Sequence, residues 1–197
     1  MGRTDGRLER GIQTRERILD AAIEIIAEGG AGAATQRMVA ARAQMSLASI
    51  TYHFPSAREL IIAAMRRASG LAVSWLAERQ SHMLAERASL EDFTVDYISA
   101  HRSGAFPAGI VALELSLAAV HEPDLRSADE DNMAALEAFL FKLLSDKDKA
   151  RAAARAFTGL LLIELGSNRD PDSEETRRTI RTLHDVFGFE TRPKRPE

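Results

Sequence analysis

Residues 35–54 read Thr35-Gln36-Arg37-Met38-Val39-Ala40-Ala41-Arg42-Ala43-Gln44-Met45-Ser46-Leu47-Ala48-Ser49-Ile50-Thr51-Tyr52-His53-Phe54. Thr35 and Ser46 are N-cap residues, whose side-chain oxygens accept the unpaired amides at the start of a helix. Each precedes a stretch long enough for only about two helical turns. Val39, Ala40 and Ala43 fall on one face of the first stretch, and Met45 and Ile50 complete a small apolar set with them. The pattern predicts two short helices packed across a three- to four-residue turn, the spacing of a helix-turn-helix. Ala40 lies where the helices come closest, and its small side chain permits that approach.

A two-turn helix is unstable alone, so the outward residues of the second helix must be held from behind. Leu47, Ala48, Ser49 and Thr51 offer methyl groups for thymine and hydroxyls for bases or phosphate, and Tyr52 and His53 offer groups for backbone phosphates. Arg37, near the start of the preceding helix, is a further candidate for a phosphate or a base edge. The plain alternative for the whole stretch is a structural helical hairpin with no DNA contact.

Working outward, Ile18, Leu19, Ala22, Ile23, Ile25 and Ile26 form a helical stripe in a segment from about Ile12 to Glu28, which Gly29-Gly30 ends. After the motif, Pro55 disfavours further helix at Phe54. Ser56-Ala57-Arg58-Glu59 then reads as a capping box, in which the Ser hydroxyl and the Glu carboxylate satisfy orphan amides of a helix running from 57 to about 85. Further helices are predicted near 89–103, 107–121, 124–144, 146–167 and 173–187. No alternating strand pattern occurs. Arg192 to Glu197 reads as a charged, proline-bearing tail without fixed structure.

Composition agrees. The 197 residues are 45% hydrophobic and 28% charged, with no Cys, which excludes disulfides, thiolate metal sites and Cys nucleophiles. The net charge of −3 speaks against a nucleic-acid partner until its distribution is considered. Residues 1–67 hold ten Arg against seven acids, a balance of +3, so the remainder carries −6. The polar start of the chain has no apolar signal-peptide core, and the apolar run from Leu160 to Ile163 is too short to span a bilayer. The expectation is a cytoplasmic protein without a membrane partner.

The stretch from Thr14 to Leu60 resembles the DNA-binding domain of the TetR (tetracycline-repressor) family. Thr14-Arg15-Glu16-Arg17-Ile18-Leu19-Asp20-Ala21-Ala22 carries the likeness, with Thr35, Arg37, Val39-Ala40, Ala43, Ser46, Tyr52-His53-Phe54-Pro55-Ser56 and Glu59-Leu60. Three positions depart from the pattern. Gln44 stands where the turn normally has Gly, Ala57 where Lys often touches phosphate, and Thr51 where an aromatic is common. The resemblance implies an all-α protein of about nine helices, with a DNA-binding domain at 12–58 and a ligand-binding and dimerisation domain at 59–190. Ser46 to Tyr52 would be the recognition helix, with DNA contacts drawn from Thr35, Gln36, Arg37, Ser46, Leu47, Ala48, Ser49, Thr51, Tyr52, His53 and Arg58; either the last replaces the missing Lys or that contact is lost.

It further implies a ligand-responsive regulator, most often a repressor, that binds a double-stranded operator as a homodimer. His121-Glu122-Pro123-Asp124-Leu125-Arg126 looks like one recurring C-terminal subtype. By that likeness Phe157, Leu160, Leu161, Leu183, Val186 and Phe187 on the last two long helices would meet a second copy. A two-fold dimer sets its recognition helices about 34–36 Å apart, or a multiple, and so reads a palindrome. Trp75, Met83, Phe93, Tyr97, His101, Phe106 and Glu114 are candidates to line a pocket for an unidentified small-molecule effector, with simple core packing as the alternative. Arg3, Arg7 and Arg10 form either a DNA-contacting arm or a solvated one. No metal-ligand spacing, phosphate loop or nucleophile motif occurs, so no metal, cofactor or enzymatic activity is expected. The competing reading is a helical-bundle binding protein that does not touch DNA.

Overall fold

The computed structural model describes residues 5–86 and 89–189, all of whose regular structure is helical. Arg3 and the tail from Arg192 lie outside the described residues, as do the side chains of Arg7 and its neighbours. Nine α-helices follow one another: α1 Asp5–Gly29, α2 Gln36–Ala43, α3 Leu47–His53, α4 Ala57–Glu86, α5 Leu90–Arg102, α6 Pro107–His121, α7 Arg126–Leu144, α8 Lys147–Gly166 and α9 Glu174–Phe187. Short 3-10 turns at Ala31–Ala33 and Pro123–Leu125 join α1 to α2 and α6 to α7. Helix α1 begins seven residues before the predicted start, because Arg, Glu and Leu continue a helix without needing an apolar stripe.

The chain forms two compact units, one of Met1–Leu71 with Pro107–Asp129 and one of Ala72–Phe106 with Glu130–Glu197. In the first, α1 packs against α2 and α6, and α2 against α3. Its interior comprises Ile18, Ala22, Ile26, Val39, Ile50, Leu60, Ala64, Val111 and Leu115, all fully or almost fully buried. In the second, α5, α8 and α9 pack on one another. Leu76, Met83, Phe139, Leu140, Ala150, Ala153, Ala154 and Phe189 form its core.

Local chemistry sets the helix boundaries. Gly30, at φ 79°, turns the chain after α1, and Gly188, at φ 77°, ends α9; both conformations favour a residue without Cβ. Ser56 Oγ accepts the Glu59 amide at 3.1 Å, as a capping box requires. The Glu59 carboxylate accepts the Ser56 hydroxyl at 2.9 Å, whereas the sequence reading put it on a backbone amide. Ser89 and Asp92 repeat this pairing at the start of α5.

By length and composition the stretch Ala57–Met83 of α4 is apolar enough to cross a membrane, with mean hydropathy 1.3. Leu60, Ala64, Met65, Ala68, Leu76 and Met83 within it are instead buried in the protein's own interior, as in a core helix of a globular fold.

Candidate nucleic-acid interface

Helix α2 is opened by Thr35, whose Oγ1 accepts the Met38 amide at 3.2 Å. It is closed by Gln44, in the left-handed region at φ 55° and ψ 46°. That conformation sends the Met45 amide back to the Ala40 carbonyl at 2.9 Å and turns the chain toward Ser46. Ser46 Oγ then accepts the Ser49 amide at 3.1 Å and starts α3. At the far end Phe54 leaves the helix with φ −140°, as Pro55 demands. Gln36 Nε2 donates to the Phe54 carbonyl at 2.6 Å, fastening the start of α2 to the end of α3.

The back of α3 is Ile50, fully buried, and Phe54, under a ring contact from the Arg15 guanidinium 4.7 Å above it. Arg17 Nη2 donates to the Ala43 carbonyl at 3.2 Å, one of the carbonyls left unpaired at a helix C-terminus. Arg42 bridges α2 to α1 through Glu24 at 3.1 Å and Glu28 at 2.6 Å. Its hydrogen bond holds the Glu28 carboxyl below the usual range.

The predicted DNA residues divide by what the fold does with them. Arg37, Leu47, Ala48, Thr51 and Tyr52 are exposed on α2 and α3, and Tyr52 is 83% exposed. Among the described residues Arg37 has no ion-pair partner. Ser49 and His53 are half-buried, the His53 ring lying edge-on to Tyr52 at 5.2 Å. Thr51 Oγ1 lies 3.2 Å from the carbonyls of Leu47 and Ala48, so its hydroxyl proton is used within the helix while its methyl stays outward. The Thr35 and Ser46 oxygens accept the cap amides of α2 and α3, and the Gln36 amide fastens α2 to the end of α3. Met38, 53% exposed beside Arg37, was not singled out, although helical spacing places it on the outer face.

Arg58, expected at a phosphate, instead lies against Glu122. Its Nε donates to Oε1 at 3.2 Å, its Nη2 donates to Oε2, and Asp124 Oδ2 stands 3.8 Å away. The partner carboxylates belong to the segment linking α6 to α7, in the same unit. Glu114 on α6 accepts the Ala31 amide at 3.1 Å. Burial raises its carboxyl above the usual range, and the amide bond opposes that shift.

Five of the seven candidate effector residues meet in the second unit. Trp75 stacks on Phe106 at 4.6 Å, with Tyr97 5.2 Å and His101 6.0 Å from the indole. Phe93 lies 6.2 Å from Tyr97. Two residues missed in the sequence join them: the Arg79 guanidinium is 5.1 Å over Trp75, and Phe139 is 5.2 Å from Phe93. His101 Nδ1 is 2.7 Å from the Tyr97 carbonyl, which assigns the proton to Nδ1 and leaves Nε2 to accept. Burial pushes the Tyr97 phenol up to about 12 and the His101 imidazole below its ordinary value. Met83 is in the Leu76 core, and Glu114 belongs to the first unit, bonded to Ala31. Among the described residues no cluster of three or more metal-ligating side chains occurs.

Of the residues proposed to meet a second copy, Leu160 and Leu161 face the protein's own interior at 7% and 4% exposure, and Phe187 packs on the second core. Phe157 and Leu183 are half-buried. Only Val186 is strongly exposed, at 70%. On α8 the outward apolar residues are Leu162 and Ile163, at 47% and 65%, two residues past the expected pair.

Residues 18–64 match the family of bacterial regulatory proteins, tetR family. No curated protein matches the chain. Among solved structures, the chain is similar to the multidrug binding protein EbrR complexed with imidazole, at 27% identity and TM-score 0.65, covering 86% of this chain and 93% of that one. The EbrR complex with proflavin matches at 28% identity and TM-score 0.63, covering 86% and 99%. A TetR-family member from Streptomyces coelicolor A3 matches at 28% identity and TM-score 0.67, covering 86% and 97%.

Proposed function

With the fold of a TetR-family DNA-binding regulator as the premise, we propose that this protein is a ligand-responsive repressor that binds a palindromic operator as a homodimer. The observation that carries the reading is α3: a helix too short to stand alone, fixed by Ile50, Phe54 and the Ser46 cap, with Leu47, Ala48, Thr51 and Tyr52 left outward. Such a helix has the dimensions and surface for a major groove. The DNA-binding domain spans 12–58 and the effector and dimerisation domain 59–190. The α8 and α9 faces bearing Leu162, Ile163, Leu183 and Val186 pair with a second copy. The protein works in the cytoplasm and performs no catalysis.

EbrR binds imidazole and proflavin. The Trp75, Tyr97, His101 and Phe106 cluster supports a planar aromatic effector in this chain as well, since offset ring stacking favours such molecules. An effector shifts the operator equilibrium only if it prefers one of two conformations. The test is selection of operators from a random duplex pool, followed by gel shift in rising salt and with proflavin added. Tight, salt-sensitive binding to a palindrome that proflavin weakens is expected. No selected duplex at all would leave a helical-bundle binding protein without DNA contact.

A further inference from the structure

Between positions 43 and 65, which include the whole recognition helix and the start of α4, Arg58 is the only Lys or Arg. It is also a cation that this fold holds against its own acids. We propose that Glu122 and Asp124 form an intramolecular decoy for phosphate, withholding Arg58 from DNA and thereby lowering operator affinity. The inference rests on the DNA-binding reading of α3.

The two sides of the contact are built differently. The carboxylates are mounted on a fixed segment. The Glu122 amide bonds the Ala118 carbonyl at 2.8 Å, Pro123 restricts the next turn, and Leu125 is buried at 1% exposure. Arg66 Nη2 donates to the Asp124 carbonyl at 2.5 Å and Ser69 Oγ to the Ala128 carbonyl at 3.0 Å, tying the same segment to α4. Arg58, by contrast, is a long side chain 59% exposed, and its partners are 33% and 62% exposed. An ion pair so open to water is weak and screened by salt, so a phosphate offering the same paired oxygens competes for it. Arg58 can leave without any movement of the linker. Arg15, Arg17, Arg42 and Arg67 brace α1 against α2, the loop after α3 or α4, and Arg66 and Arg126 bond the Asp124 and Ala119 carbonyls rather than carboxylates.

The test compares the full chain with E122Q/D124N, R58A and the triple variant, using a fluorescent duplex selected as above, over a range of salt. E130Q/D131N removes the same charge from exposed positions on α7 and controls for net charge. E122Q/D124N is expected to bind roughly fivefold tighter at 0.1 M salt and to steepen the salt dependence by about 0.9 per protomer, one further phosphate contact. R58A removes that gain, and it weakens E122Q/D124N more than it weakens wild type. A gain that survives R58A, that E130Q/D131N reproduces, or that is absent altogether overturns the decoy while leaving DNA binding intact. Wild type binding no duplex overturns the DNA reading and the decoy with it.

Discussion

The two units bury their helices by different means. The first uses aliphatic residues, Ile18, Ile26, Val39, Ile50 and Leu60, around helices as short as seven residues, and fixes their ends with Thr35, Ser46 and Gln36. The second uses rings, Trp75, Phe93, Tyr97, Phe106 and Phe139, and fastens α5 to α9 with Arg177 and Arg181 gathered on Glu91. Aliphatic packing with exact caps holds one geometry, which a groove reader needs. Aromatic faces with polar edges meet in directed stacked and edge-on contacts instead.

Single truncations test that division most severely. Ile50→Ala should cost about 2–5 kcal/mol and abolish operator binding, because α3 has no other buried anchor of its size. Leu140→Ala, in the second core, should cost a similar amount. The readouts differ: Trp75 is the only tryptophan and lies in the second unit, so its emission should move with Leu140→Ala and stay native at 25 °C with Ile50→Ala. If Trp75 responds equally to both, the units do not melt separately and the comparison fails.

Arg37 and Arg79 sharpen it at the level of binding. Arg37→Ala should weaken operator affinity roughly tenfold, about 1.4 kcal/mol. Arg79→Ala should leave affinity unchanged while altering Trp75 emission through loss of the cation over the ring. Equal operator isotherms for wild type and Arg37→Ala would remove Arg37 from the interface.

The sequence reading succeeded where the deciding interactions were local. Thr35, Ser46 and the Gly29-Gly30 stop act within three or four residues of themselves, and the aliphatic stripe of α1 repeats at the helical period, so helices α2 to α9 fell close to their predicted ranges. Remote partners were not legible in the sequence. Arg58 and Glu122 are 64 positions apart, and nothing near Arg58 signals that its charge is already engaged. Leu160 and Leu161 look as apolar as Leu162 and Ile163; which pair faces inward depends on where α5 and α9 lie, which the period of a nearly all-apolar run does not encode. Gln36 and Ser46 were read as DNA contacts because polar side chains beside such a helix suit that role; their bonds to the Phe54 carbonyl and from the Ser49 amide are local roles that the same pattern does not spell out.

Acid should act on the second unit first. His101 and His184 are buried at 2% and 5% exposure, both are held below their ordinary pKa by burial, and the His184 Nε2 has no hydrogen-bond partner among the described residues. Each therefore takes up its proton more readily in the unfolded chain. Their contribution is complete above the unfolded value near 6.5 and is lost as pH falls through the folded values. The Tyr97 carbonyl opposes the shift at His101, and Glu91 and Asp185 oppose it at His184, without reversing either. Melting followed by Trp75 emission should fall between pH 7.5 and 5.5, and His101→Asn with His184→Asn should flatten that slope. A melting temperature that climbs on acidification would overturn the assignment.

The smallest effect compares one turn from each unit. Gln44 at φ 55° and Ser145 at φ 53° are the described non-glycine residues in the left-handed region, ending α2 and α7 respectively. A residue with Cβ there costs about 1–2 kcal/mol, of which glycine returns about 0.5–1 kcal/mol through its freer unfolded chain. Gln44→Gly and Ser145→Gly should each raise the melting temperature by about 1–4 °C. They share no hydrogen-bond partner, so the gains should add. Their effect on DNA should not be equal. Gln44 sets the angle between α2 and α3, and a freer turn there loosens α3, whereas Ser145 ends α7 in the second unit. A Gln44→Gly protein that melts higher yet binds its operator less tightly, beside a Ser145→Gly protein that only melts higher, would show that the strained turn holds α3 at the angle binding requires; unchanged affinity in both would reduce Gln44 to a tolerated defect.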